Sequence, residues 1–169
     1  MRIRLRKTKC FGRKHSVTSK LTATISLAVA ASFSSAMGAY HFFLPSQFHW
    51  SVFLKKVPQP IPWALFSINF FFSFLLFAGG ILSFIALRAF RRSSHCDRGI
   101  LVAMAGFWLA NLLYQIFIPM PLPAKLWPLH VVLGGFAAMA MLAYVIGLLA
   151  MRAAGDSACM KNKATGPGF

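Results

Sequence analysis

The chain has 169 residues, 58% hydrophobic and only 12% charged, against roughly 25% charged in an ordinary soluble domain. Eighteen Lys and Arg face two acidic residues, a formal charge of +16. A soluble globule could not hide so much apolar surface, a disordered basic tail has no apolar half, and a nucleic-acid-binding domain spreads its charge through its fold; a small integral membrane protein with basic flanks is left.

Residues 1–20 form a basic segment with Arg2, Arg4, Arg6, Lys7, Lys9, Arg13, Lys14 and Lys20. Such a segment orients the chain and attracts anionic lipid headgroups, at about 1 kcal/mol per basic residue near a surface. It contains no nucleic-acid-binding module, so no nucleic-acid partner is expected.

A membrane helix needs about 20 consecutive apolar residues. Four charge-free stretches meet this, so helices are expected at about 21–44, 61–87, 99–118 and 126–151, within a membrane domain of residues 21–152. The first also carries Thr22, Thr24, Ser26, Ser32, Ser34 and Ser35. With its basic leader it can be read as a signal peptide cleaved after Ala36. The apolar run continues through Tyr40 to Leu44, which favours an uncleaved helix.

The first outer loop, Pro45 to Gln59, holds Phe48, Trp50, Val52, Phe53 and Leu54, too apolar for a freely solvated loop. A short interfacial helix is expected there. Phe48, His49 and Trp50 then act as a lid over the bundle mouth or as an anchor on the outer leaflet.

The second span packs Phe66, Phe70, Phe71, Phe72, Phe74 and Phe77 into its first half, with Pro62 in the first turn, where proline is tolerated. The third begins after Arg98 and stops at the Pro-rich turn Pro119–Pro123; the fourth begins around Trp127–Pro128 and ends before Arg152. Residues 153–169 read as a flexible tail. The runs are too long and too little alternating for strands.

Basic residues are retained on the cytoplasmic side. The N-terminal segment, the middle loop (Arg88, Arg91, Arg92, Arg98) and the tail (Arg152, Lys161, Lys163) hold fifteen of them, whereas the outer side holds only Lys55, Lys56 and Lys125. Both termini are therefore expected inside, whether or not the first span is cleaved. Trp50, Trp63 and Trp127 fall at outer span ends, at headgroup level. Cys10, Cys96 and Cys159 all fall inside, where thiols stay reduced, and their spacings match no metal motif.

No span interior contains Asp, Glu, Lys or Arg. This removes a carboxylate proton relay and the acid–base pair a hydrolase needs, so no catalytic or metal-ligating residue is assigned. Neutral groups remain. At 1.5 Å per residue, Asn69 and Asn111 lie about 9–10 Å below the outer ends of spans two and three, and His41 and His130 about 4.5 Å below those of spans one and four. Trp108, Asn111 and Gln115 recur on one face of span three, with Tyr114 beside them. Asn69, Ser73, Gly80 and Ser83 share a face of span two; Ser26, Ala30, Ser34 and His41 share one of span one. In span four, Gly134 and Ala138 have the spacing of a close helix contact.

Two uses of these groups are expected. In one, Asn69 and Asn111 hydrogen-bond across spans two and three and fix packing. In the other, His41, Asn69, Trp108, Asn111, Tyr114, Gln115 and His130 line an outer pocket for a lipid-like ligand. A redox variant has His41 and His130 holding a b-type haem or a quinone.

The resulting expectation is an all-α, integral membrane four-helix transmembrane bundle with both termini cytoplasmic and a short outer interfacial helix. It is a multi-pass protein of the cell membrane, with the bacterial inner membrane the best fit. Its role is that of a non-enzymatic accessory or lipid-phase binding protein, open to self-association or a membrane-protein partner, with no cofactor assigned.

Overall fold

Apolar runs of this length satisfy their backbone hydrogen bonds locally, and helices follow. The computed structural model describes residues 8–92, 98–118 and 127–164, with side chains except those of residues 8–16, 127, 130 and 157–164. The expected Pro-rich turn at 119–123, Lys125, Cys96 and residues 165–169 lie outside the described residues, as do the side chains of Cys10, Trp127, His130 and Cys159.

Five α-helices are described: α1 (Thr8–Gln47), α2 (Trp50–Phe53), α3 (Pro60–Arg92), α4 (Gly99–Phe117) and α5 (Trp127–Ala164); a 3-10 turn, Leu54–Lys56, follows α2. Among the described residues there is no strand. Four of these helices are long and apolar enough to cross a membrane, over Val17–Gln47, Pro60–Arg92, Gly99–Phe117 and Val131–Asp156. The fold is an all-helical bundle that fits a multi-pass membrane protein.

Two boundaries differ from the expected ones. Helix α1 does not stop at Leu44 but runs through Pro45 to Gln47. A proline so near a helix end costs one hydrogen bond, and the chain tolerates it there. Helix α5 continues past Gly155 to Ala164, where a flexible tail was expected. One glycine costs only about 1 kcal/mol in a helix, and Ala, Met and Lys around it are strong helix formers. The basic N-terminal segment is likewise helical from Thr8. The loop between α1 and α3 does hold a short helical element, reduced to one α-turn and one 3-10 turn.

Helix α1 is the hub: it packs on α3 and on α5, α5 packs on α4, and α3 meets α4 only lightly. Small residues set this arrangement. A Cβ at Gly38 of α1 would strike the backbone of Phe77, and one at Gly80 of α3 would strike Ser35 and the Ala31 carbonyl, so α1 and α3 touch backbone to backbone. Gly147 of α5 admits the side chain of Leu27. The core is built from Ala23, Leu27, Ala30, Leu76, Leu101, Met104, Ala137, Ala140 and Met151. Cleavage after Ala36 would strip Ala23, Leu27, Ala30 and Ala31 from it.

The expected Gly134–Ala138 contact is not the close approach. Among the described residues nothing lies within 4 Å of a Cβ built at Gly135, and at Gly134 only the Gln115 side chain does, at 3.9 Å. Helix α5 instead turns Ala137, Ala140, Tyr144, Gly147 and Met151 inward, all buried. This face also holds the hydroxyl that most needs a partner.

Candidate functional site

Two polar constructions tie the bundle together, and each follows from a shortage of hydrogen-bond partners in an apolar interior. In lipid an unpaired polar group costs several kcal/mol, so each must find a partner within the protein.

The first lies at the centre. Ser34 of α1, Ser83 of α3 and Tyr144 of α5 are each 0% exposed, and Trp108 of α4 is 3% exposed. Trp108 Nε1 donates to Ser34 Oγ at 2.9 Å. The Tyr144 hydroxyl lies 3.1 Å from Ser34 Oγ and 3.0 Å from Ser83 Oγ. Ser83 Oγ donates to the Gly79 carbonyl at 2.7 Å.

Proton counting fixes the direction of every link. Indole N–H only donates and a carbonyl only accepts, whereas each hydroxyl has one proton. Ser83 spends its proton on Gly79, so it accepts from Tyr144. Tyr144 therefore accepts from Ser34, and Ser34 accepts from Trp108. One continuous chain runs Trp108, Ser34, Tyr144, Ser83, Gly79, crossing all four long helices with every donor used. Links aligned in one sense polarise one another and strengthen the whole.

The second lies near the end of the bundle that carries α2. Pro45 has no N–H, so the carbonyl four residues earlier, that of His41, has no donor in the helical ladder. Asn69 of α3 supplies one: its Nδ2 donates to the His41 carbonyl at 2.9 Å. The Asn69 carbonyl in turn accepts from Ser73 Oγ at 2.5 Å. Asn69 thus compensates for a proline on the neighbouring helix.

These findings redistribute the expected site residues. Trp108 belongs to the central chain and not to a pocket. Asn69 bonds α1 and not Asn111, because the Gly38 and Gly80 contacts press α3 onto α1. Asn111 stays within its own helix, accepting from Gln115 Nε2 at 2.5 Å. Tyr114 is 62% exposed and points away from the bundle. His41 meets Asn69 through its backbone, while its ring sits edge-on to Phe72 at 4.9 Å and Tyr40 at 6.2 Å. The His130 side chain lies outside the described ones, so its expected pairing with His41 falls there too. Among the described residues no group of three or more His, Cys, Asp and Glu comes together.

The loop residues form a compact roof. His49 takes a left-handed conformation, φ 50°, which reverses the chain between α1 and α2, and its Nδ1 lies 3.1 Å from the Gln47 carbonyl. Phe48 is exposed, while Trp50 packs on Phe66 of α3 with ring centroids 5.8 Å apart. Beneath lies a groove of about 480 Å³ lined by Phe42, Pro45, Ser46, Ser51, Phe66, Asn69 and Phe70. Phe42 and Phe70 meet edge-on at 5.7 Å within it. Among the described residues no charged side chain lines it. Its size falls in the range of small-ligand clefts.

Sequence reasoning placed Asn69 in the outer half but missed Phe42, Pro45, Ser46, Ser51, Phe66 and Phe70 as its companions, and missed Tyr144 and Ser83 as central polar partners. The chain matches no protein-family model, no curated protein and no solved structure. The class defined by fold and site is a small helical bundle with four membrane-capable helices, a central chain of four linked polar side chains, one buried hydroxyl beside it (Ser35 Oγ) with no partner among the described residues, and an open aromatic groove.

Proposed function

We propose that this chain is a non-enzymatic multi-pass protein of a cell membrane, the bacterial inner membrane fitting best, that holds an apolar ligand of the lipid phase. Both termini face the cytoplasm, in keeping with the positions of the basic residues, and the basic N-terminal segment rests on anionic headgroups. The groove roofed by α2 is then at the outer face, between the outer ends of α1 and α3.

The carrying observation is this groove: about 480 Å³, walled by Phe42, Phe66 and Phe70, with Ser46, Ser51 and Asn69 as its polar groups. The central chain supports the reading from the other side. Its hydroxyls and indole N–H are committed to one another, so ligand binding falls to the groove. Such a protein serves as a holder or accessory subunit and performs no bond chemistry of its own.

Native mass spectrometry of the full chain from mild detergent tests this. The wild type is expected to carry a bound apolar species, and Ser46→Trp, which fills the groove, to lose it. Equal retention by both proteins contradicts the proposal.

A further inference from the structure

The chemistry of the groove names its ligand more closely, an inference that rests on the lipid-phase reading above. The geometry points to a neutral lipid with a planar carbonyl-bearing ring, the chemistry of a membrane quinone, read by Asn69 and not by a pair of histidines.

Charge is the first discriminator. The lining has aromatic rings, a proline, two hydroxyls and an amide and, among the described residues, no cation. A phosphate or carboxylate head would lose its hydration here without an ionic partner. The head that fits is neutral.

Shape is the second. Phe42 and Phe70 meet edge-on and Phe66 adds a third ring to the lining, so aromatic rings bound the space. Flat rings fill such a slot in offset or edge-on contact better than a glycerol backbone does.

Hydrogen bonding is the third. Asn69 spends one N–H on the His41 carbonyl, and among the described residues its second N–H and its Oδ1 carry no further hydrogen bond. An amide held rigidly by a neighbouring helix presents its remaining N–H in a fixed direction. Ser46 and Ser51 add hydroxyl donors at the lip. Ring carbonyls are acceptors and meet this donor set, whereas a plain hydrocarbon leaves it unpaired.

Tryptophan fluorescence of the full chain in detergent, titrated with decyl-ubiquinone, decylbenzene and dioctanoylglycerol, is the test. Saturable quenching by decyl-ubiquinone is expected; the other two do not quench tryptophan, so their binding is read as displacement of the quinone, which should need at least tenfold higher concentration. Because Asn69 also holds His41, the variant is made in a Pro45→Ala background, where the restored N–H at position 45 satisfies that carbonyl. Pro45→Ala, which also alters the groove wall, is the reference for the pair, and Pro45→Ala/Asn69→Leu should bind at least tenfold more weakly than Pro45→Ala. Equal binding of decylbenzene, or indifference to Asn69→Leu in that background, overturns the quinone-type ligand while leaving a lipid-binding groove. Preferred binding of dioctanoylglycerol overturns it in favour of a glycerolipid. Saturable binding of none of the three overturns both readings.

Discussion

Asn69→Leu removes the side-chain donor that reaches the His41 carbonyl, and its cost depends on a proline four residues further along the partner helix. The hydrogen bond is 2.9 Å long and joins α1 to α3. Interhelical hydrogen bonds in membrane proteins contribute about 0.6–1.7 kcal/mol, and a buried acceptor left unpaired costs about 1–3 kcal/mol. With Pro45 present, a loss of about 2 kcal/mol is expected. In Pro45→Ala the N–H at position 45 returns to the ladder and occupies the His41 carbonyl, so Asn69→Leu should cost about 0.5 kcal/mol there. The coupling of about 1.5 kcal/mol is the quantity to measure, by a double-mutant cycle on reversible unfolding in mixed SDS micelles followed by tryptophan fluorescence. Additivity within about 0.5 kcal/mol would refute the reasoning, because independent sites behave so.

Further outcomes follow from the same geometry. Tyr144→Phe removes the middle link of the central chain, leaving Ser34 without its acceptor and Ser83 without its donor; unfolding in SDS should show a loss of about 1–2 kcal/mol. Gly80→Val forces α3 off the backbone of α1 and should cost about 1–3 kcal/mol or abolish folding, whereas Gly135→Val, with open space around it, should leave the melting curve nearly unchanged. A reporter fused after Phe169 should read cytoplasm and one inserted at Gln59 the opposite side; the reverse pattern would overturn the charge assignment. The purified protein should retain residues 1–36, since α1 is the hub, and a mass lacking them would contradict that.

The spans were legible because bilayer thickness demands long apolar runs and this chain keeps charge out of four of them. Faces were legible where small and polar residues share a stripe, as with Ala30 and Ser34, or with Ser73, Gly80 and Ser83, all buried. Span four was misjudged, because Gly134 and Ala138 looked like a contact while the true inner face is set by Ala137, Ala140 and Tyr144. A lone mid-span tyrosine was the available signal, since its hydroxyl must find a partner in lipid. The clasp at Asn69 was hidden for a different reason. Ending the first helix at Leu44 leaves Pro45 outside it, and the orphaned carbonyl at His41 then does not exist; only the continuation to Gln47 creates the need that Asn69 meets. The groove was illegible because it depends on how the ends of α1 and α3 and Ser51 of α2 come together, which hydropathy does not encode.

Photolabelling distinguishes an apolar ligand held in the aromatic groove from one spread over the exposed apolar surface at large. The full chain in lipid nanodiscs is irradiated with a neutral, diazirine-bearing apolar probe at low occupancy, and the adducts are mapped by mass spectrometry. Adducts concentrated on Phe42, Phe66 and Phe70, and competed away by decyl-ubiquinone, are the predicted result. Adducts spread evenly over the exposed Ile68, Phe71 and Leu75, with no competition, would contradict it.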